Sequence, residues 1–209
     1  MKLNIQYLSR IVANSELAVR QKIDKITIIL IEQIDALTTI ANAFASFAKM
    51  PTMHKETIYL HGILSNVIDL YSQEYDTITL HADITILQNV AFWGDKEHWV
   101  RIFNNIVKNA CQAIPSNQEG YISITTRLAD AGYEIAIQDN GIGIADDKKE
   151  KMFVPYFTTK SSGTGLGLAI VKNSIEAHNG SIRYVSELGV GTTFYITLPS
   201  IGHNGELGV

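Results

Sequence analysis

Residues 1–49 contain neither glycine nor proline, and their apolar positions recur every three or four residues, the period of an α-helix. From Ile23 onward the pattern tightens into a heptad. Ile23, Leu30, Leu37 and Phe44 hold one seam position, and Thr27, Ile34, Ala41 and Ala48 hold the other. Ile26, Ile31, Ile40 and Phe47 flank the seam and widen it beyond what a two-stranded rod needs. A shorter helix before it turns Leu3, Tyr7, Leu8 and Ile11 inward and ends near Asn14 and Ser15. Two helices cannot bury so much apolar surface by themselves, so the pattern predicts a helical hairpin over residues 1–50. Two copies of it would pair into a four-helix bundle, making the protein a homodimer.

Pro51 stops the helix, and residues 51–56 read as a hinge. Beyond it the period changes. Strands are expected at Thr57–Leu60, Ile78–Ala82, Val90–Trp93, Tyr121–Leu128, Tyr133–Gln138, Ser181–Val185 and Thr192–Leu198. Helices are expected at His61–Tyr71, at Lys96–Ile114 with Asp95 as N-cap and Pro115 as the stop, and from about Gly165 to His178. Ala129–Gly132 is a hairpin turn, Gly141–Gly163 a lid-like segment, and Lys148–Lys151 a solvated helix face. The sum is an α+β domain over residues 57–200, a two-layer α/β sandwich, followed by a tail at 201–209.

Composition narrows the function classes. The 209 residues are 46% hydrophobic and 18% charged, as in an ordinary globular chain. A net charge of −4 gives no basic face for nucleic acid. One cysteine, Cys111, rules out an internal disulfide framework. The longest aliphatic stretch, around Ile26–Ile31, falls far short of the ~20 residues of a membrane helix. No secretory signal is visible, so a cytoplasmic location without membrane contact is expected.

Three polar clusters carry the candidate chemistry. In NNIVKNA (104–110), Asn105 and Asn109 are four apart and share one helix face. A carboxamide oxygen there can ligate a hard cation such as Mg2+ without adding negative charge beside phosphates. Asn is a mediocre helix former, so three in mid-helix call for a compensating role. In DNGIG (139–143), the Asp139 carboxylate can accept a hydrogen bond from an exocyclic amine such as adenine N6, while Gly141 and Gly143 let the backbone pass close to a flat base. Alone, Asp-Asn-Gly reads as a hairpin turn. In TTKSSGTGLGLA (158–169), Gly163, Gly165 and Gly167 punctuate a loop that opens a helix and aims backbone N–H groups at an anion. Neither a dinucleotide fingerprint nor a Walker loop fits, since Leu168 stands where a glycine would and no Gly-Lys-Ser/Thr follows.

Together and in this order the clusters resemble the ATP-binding domain of sensor histidine kinases, within the wider family of type II topoisomerase, heat-shock chaperone and mismatch-repair ATPases. The resemblance covers most of the chain and is most specific over 95–198. It implies ATP and Mg2+ as cofactors, with Asn109 on the metal, Asn105 near the phosphates and Lys108 a further contact. Asp139, Gly141 and Gly143 would read the base. Thr159, Lys160, Gly163, Thr164, Gly165, Leu166, Gly167 and Leu168 would form the phosphate-side lid, anchored by Phe153 and Phe157. Gly189–Thr192 resembles a supporting glycine motif. In the ATP-hydrolysing relatives a glutamate activates water four residues before the metal-binding asparagine. Asn105 occupies that place, which implies transfer to another nucleophile. A serine kinase of the anti-sigma type, or a non-enzymatic nucleotide-binding dimerisation module, are the rival readings.

The phosphoacceptor histidine that the resemblance calls for is missing. His54, His61, His81, His98, His178 and His203 lack its Asn-Pro setting and read as surface or capping residues. MKLNIQYLSR and FASFAKMP resemble segments following that motif in nitrogen-regulation-type sensors. The expectation is a C-terminal fragment whose parent continues upstream through the acceptor, with a response regulator receiver domain as partner.

Overall fold

The computed structural model describes residues 21, 23–34, 38, 53–130, 132–160 and 163–199. The chain divides into two compact units, Met1–Pro51 with Thr158–Thr164, and Thr52–Phe157 with Gly165–Val209.

In the first unit residues 23–34 are helical. Ile23, Thr27, Ile31 and Ile34 form a half-buried stripe, whereas Ile26, Ile28, Ile29 and Leu30 are exposed. The stripe therefore takes Ile31 where the heptad expected Leu30. A straight helix at 3.6 residues per turn drifts off a strict seven-residue repeat. The expected first helix, the break at Asn14 and Ser15, the seam beyond Ile34 and the 201–209 tail lie outside the described residues. No described helix is long and apolar enough to cross a membrane.

The second unit contains strands β1 (Glu56–Tyr59), β2 (Ile78–Asp83), β3 (Ala91–Gly94), β4 (Gly120–Ala129), β5 (Gly132–Asp139), β6 (Ser181–Glu187) and β7 (Gly191–Pro199). Its helices are α1 (Leu60–Glu74), α2 (Lys96–Ala113), the single-turn α3 (Asp146–Lys149) and α4 (Gly167–Ala177). A five-stranded sheet runs β2-β4-β5-β7-β6, and β1 pairs with β3 as a separate ribbon. Only the β2–β4 pair is parallel; its connection carries β3 and α2 across one face of the sheet. Ile122, Ile124, Ile135, Ile137, Phe194, Ile196 and Leu198 point to that face and are buried. Cross-strand pairs Ile124–Ile137 and Ile135–Ile196 fix the register, because a one-residue slip would turn the whole set to solvent.

Helix α2 forms the opposite wall. Trp99, Ile102, Phe103, Ile106, Val107, Ala110 and Cys111 are buried at three- and four-residue spacing, which forces Asn105, Lys108 and Asn109 onto the other side. Asp95 caps it as expected, its Oδ1 accepting from the N–H of Glu97 at 2.9 Å and of His98 at 3.1 Å. Ile114, before Pro115, leaves the helical region at φ −87°, ψ 121°.

Two histidines depart from a surface position, although His178 does occupy the C-cap of α4. His98 and His178 are buried, and His178 is held below the usual histidine pKa, chiefly by burial. Its Nε2 accepts from the Asp95 N–H at 3.0 Å, so the proton sits on Nδ1, 2.7 Å from the Ser174 carbonyl. The ring is a neutral tie between the end of α4 and the start of α2, not a cation serving the helix dipole. The chain folds back after α4, turning the ring toward β3 instead of solvent: a Cβ on Gly94 would lie 2.9 Å from His178 Cδ2.

The solvent face of the sheet is polar, with Glu134 enclosed at its centre. Arg127 Nη2 lies 2.6 Å and Arg183 Nη2 3.1 Å from its oxygens. The Arg183 guanidinium also lies over the Tyr195 ring, 3.7 Å from its centroid. Burial raises the Glu134 pKa, but the two arginine hydrogen bonds outweigh it and hold the carboxyl below its ordinary value. A depressed native pKa stabilises the fold above the unfolded value near ~4.3, and the contribution is lost as pH falls through the native value. Glu134→Gln should therefore flatten the fall of the urea midpoint below about pH 4. An unchanged acid slope would mean that the two arginines contribute nothing there.

The loop after β5 is pinned on the β6–β7 turn. Gly189 N–H donates to the Ile142 carbonyl at 2.8 Å, and a Cβ on Gly143 would lie 1.9 Å from the Glu187 carbonyl oxygen. Gly143 (φ +66°) and Gly189 (φ +80°) are both left-handed, yet a Cβ on Gly189 meets nothing within 4 Å. Gly189→Ala should cost only the left-handed penalty of about 1–2 kcal/mol. Gly143→Ala should cost clearly more, because backbone must also move. Urea unfolding of the two variants compares them, and equal losses would rule out the close approach.

Candidate nucleotide site

The exposed side of α2 is approached by backbone at two points. At its C-terminal end the Ala113 carbonyl accepts from the Ile142 N–H at 2.9 Å, and a Cβ on Gly141 would lie 2.5 Å from that same oxygen. Higher up, a Cβ on Gly167 would lie 2.7 Å from Asn105 Oδ1. Asn105, Asn109 and Ala113 follow one another at four-residue steps, so Asn109 stands between the two approaches on the same face. Asn105 is oriented by its own helix: its Nδ2 donates to the Arg101 carbonyl at 2.8 Å, which turns Oδ1 toward Gly167. Lys108 is exposed on the same helix.

Asp139, buried at 4% exposure, ends β5 beneath this face. Its Oδ1 accepts from the Gly141 N–H at 2.9 Å, closing the turn that brings Gly141 against α2. Cys111 also borders this region. Its thiol is pushed up to about 11, first by burial and then by the negative charge of Glu74, with Asp139 adding a smaller push. It stays protonated and packs as a small apolar group.

Leu166, buried, and Leu168, partly buried against the core, face inward, so toward an anion they offer backbone and not side chain. Leu166, the N-cap of α4, makes no side-chain cap hydrogen bond, and the first turn holds no acidic residue, so no carboxylate there opposes an anion at the positive end of the dipole. Gly165 packs on the backbone of Tyr156, where a Cβ would come within 2.4 Å. Phe153 and Phe157, the expected lid anchors, are half-buried; Phe153 meets Tyr184 edge-on at 5.8 Å, with the Lys172 ammonium 5.7 Å from its centroid.

Thr159, Lys160, Gly163 and Thr164 belong to the other compact unit. Within it the loop folds on itself: the Lys160 N–H donates to Thr158 Oγ1 at 3.1 Å, and the Gly163 N–H to the Lys160 carbonyl at 3.2 Å. Of the expected set, the structure brings Gly167 against Asn105 and, through Asp139, Gly141 against the end of α2, with Asn109 on the face between them; Gly143 packs instead on Glu187 and Gly165 on Tyr156.

Three supporting residues were not singled out from sequence. Asn140 continues the β4–β5 pairing past Asp139, its Oδ1 accepting from the Tyr121 N–H at 2.8 Å and its Nδ2 donating to the Glu119 carbonyl at 3.0 Å. Thr192, inside the expected glycine motif, stands opposite Asp139 in register, and its hydroxyl pairs with Ser186 Oγ at 2.8 Å. Ser186 Oγ in turn accepts from the Ile144 N–H at 2.9 Å. Asn in a turn and hydroxyls at strand ends were the available signals, each too common to point here by itself.

Residues 94–201, just over half of the chain, match the family profile described as histidine kinase-, DNA gyrase B- and HSP90-like ATPase. The chain is 33% identical over 172 residues to the sensor histidine kinase ZraS of Escherichia coli strain K12, covering 82% of this chain and 37% of that protein. It is 30% identical over 180 residues to sporulation kinase E of Bacillus subtilis strain 168, covering 85% and 24%. It thus spans between about a quarter and just over a third of the length of these relatives. A solved catalytic domain of the histidine kinase ThkA superposes with a TM-score of 0.61 at 28% identity, covering 71% of this chain and 97% of that one. The chain therefore belongs to the histidine kinase-, DNA gyrase B- and HSP90-like ATPase family, and it carries the ATP-binding catalytic domain of the sensor histidine kinase type.

Proposed function

We propose that this chain binds Mg-ATP against the exposed face of α2 and transfers the γ-phosphate to a histidine supplied by another part of the parent protein. The observation that carries this reading is the double approach of glycine backbone to the Asn105–Asn109 face, at Gly141 below and at Gly167 above. Asp139, at the lower end, would accept a hydrogen bond from the adenine amine. The start of α4, at the upper end, would face the phosphates.

The donor set fits a hard cation. Among the described residues no cluster of three or more His, Cys, Asp or Glu side chains forms an all-protein cage. A single carboxamide oxygen from Asn109, with phosphate oxygens and waters completing the shell, is the arrangement Mg2+ favours in nucleotide sites. When bound, the ion would neutralise charge on the triphosphate. The chain's own work is to hold and orient: Asp139 fixes the base and Asn109 the phosphate end through the cation, with Asn105 and Lys108 beside it. Asn105 has no basic atom to take a proton from water, so hydrolysis lacks its base and the phosphoryl group passes to an external nucleophile.

This reading extends to the organisation of the protein. Residues 57–200 would form the ATP-binding domain, 51–56 a hinge, and 1–50 the dimerisation hairpin. A response regulator receiver domain would take the phosphoryl group onward.

Calorimetric titration with Mg-ATP should give one site. Asp139→Ala should weaken it by about 10–100-fold, the cost of a buried hydrogen bond lost to a ligand amine. Mixed with Mg-ATP and a separate acceptor-bearing helical bundle, the chain should yield an acid-labile phosphohistidine, and Asn109→Ala should abolish it. An acid-stable product would move the assignment to a serine kinase, and transfer indifferent to Asn109 would sink the site.

A further inference from the structure

Asp95 joins three pieces of chain that lie far apart in sequence. Its Oδ1 caps α2 through the N–H groups of Glu97 and His98, at 2.9 and 3.1 Å. Its Oδ2 accepts from the His54 N–H at 2.9 Å, forty-one residues earlier in the chain. Its own N–H donates to His178 Nε2 at the end of α4, at 3.0 Å. The residue is only 6% exposed. Burial raises its carboxyl pKa, yet the backbone bonds from His54, His98 and Glu97 and the nearby His98 ring hold it below the ordinary value, so it stays ionised.

The candidate nucleotide site lies farther along these helices, at the middle of α2 and the start of α4. α2 and α4 pass one another as a pair touching at Asn105 and Gly167, and again at Asp95 and His178. Nine residues of helix separate Asn105 from Asp95, and α4 spans Gly167–Ala177. A ligand that enters at the Asn105–Gly167 contact cannot alter the angle of the pair there without loading the second contact. Trp99, tilted against the His178 ring with centroids 5.2 Å apart, is fully buried, so the interior between the contacts has little room to absorb the change.

We propose that Asp95 is a positioning residue that latches the segment entering the ATPase domain, through the His54 N–H, to both helices framing the nucleotide site. Occupation of the site and closure of the latch are then thermodynamically linked, and the linkage is reciprocal. The linkage rests on the nucleotide reading above; the latch itself does not. Its two carboxylate oxygens divide the work: one serves the helix, the other the incoming segment. Asparagine separates them. It caps a helix as well as aspartate does, but turns an N–H donor toward the His54 N–H.

Asp95→Asn should keep a urea midpoint near that of the natural chain, whereas Asp95→Ala, which removes the cap as well, should not. Amide hydrogen exchange at His54 should be at least ten times faster in Asp95→Asn than in the natural chain. In the natural chain, saturation with a non-hydrolysable Mg-ATP analogue should slow that exchange severalfold; in Asp95→Asn it should not. If Asp95→Asn does not fold, Asp95→Ser keeps one capping oxygen and should give the same pattern. His54 exchange equal in variant and natural chain overturns the latch. A His54 amide indifferent to analogue that calorimetry finds bound overturns the linkage. Absence of binding in the natural chain overturns the nucleotide reading and the linkage with it, while the comparison without ligand still decides the latch.

Discussion

One steric constraint governs the site: main chain must reach the polar face of α2, and a single methyl group at either of two positions would hold it off. At Gly141 the obstacle to a Cβ is the last carbonyl of the helix, and at Gly167 it is the Asn105 oxygen. The first obstacle is backbone, and the second can retreat only by giving up a hydrogen bond. The Ala113 carbonyl is committed to the Ile142 N–H, and Asn105 is committed to the Arg101 carbonyl. The helix in turn cannot rotate, because Trp99, Phe103 and Ile106 are fully enclosed by the sheet and α1. The geometry of the polar face is therefore set by the packing of the apolar face. A core substitution that lets α2 roll would spoil the site without touching it.

The same logic explains why histidine appears where a purely apolar residue would have packed as well. His178 must fill space against Trp99 and Gly94 and also accept a hydrogen bond from the Asp95 N–H, one of the donors that the start of a helix leaves to be satisfied. A neutral imidazole supplies bulk, an acceptor on one edge and a donor on the other. Burial keeps the ring neutral, and neutrality keeps Nε2 an acceptor. Packing and protonation state thus depend on each other at this joint.

Much of this was legible in the chain itself, and the reasons differ by element. The strands from β4 to β7 alternate cleanly because one face of the sheet meets helices and the other meets water. The Asp95 cap and the Pro115 stop are local chemistry, so they could be read without knowing the fold. The three polar clusters were readable because their spacing on helix and loop survives any arrangement of the rest. The burial of His98 and His178 was not, since no local pattern separates a histidine that ends on a surface from one folded back against β3. Glu134 is a similar case. A charged residue in an alternating strand reads as exposed, and only the arrival of Arg127 from β4 and Arg183 from β6 encloses it. The choice of Ile31 over Leu30 on the first helix turns on a small angular drift, which a heptad template cannot resolve.

Under the proposed reading, the identity of residue 105 favours transfer over hydrolysis on structural as well as acid-base grounds. A carboxamide can donate from Nδ2 to the Arg101 carbonyl and so present its oxygen in a fixed direction. A carboxylate has no donor to offer that carbonyl. Placed there it would be repelled by the carbonyl oxygen and driven outward, where a water would find it. Under the proposed reading, asparagine at this position removes the general base and also ties the side chain back along its own helix. The oxygen that remains is turned toward Gly167, at the opening of α4, and away from any role in drawing a proton from solvent.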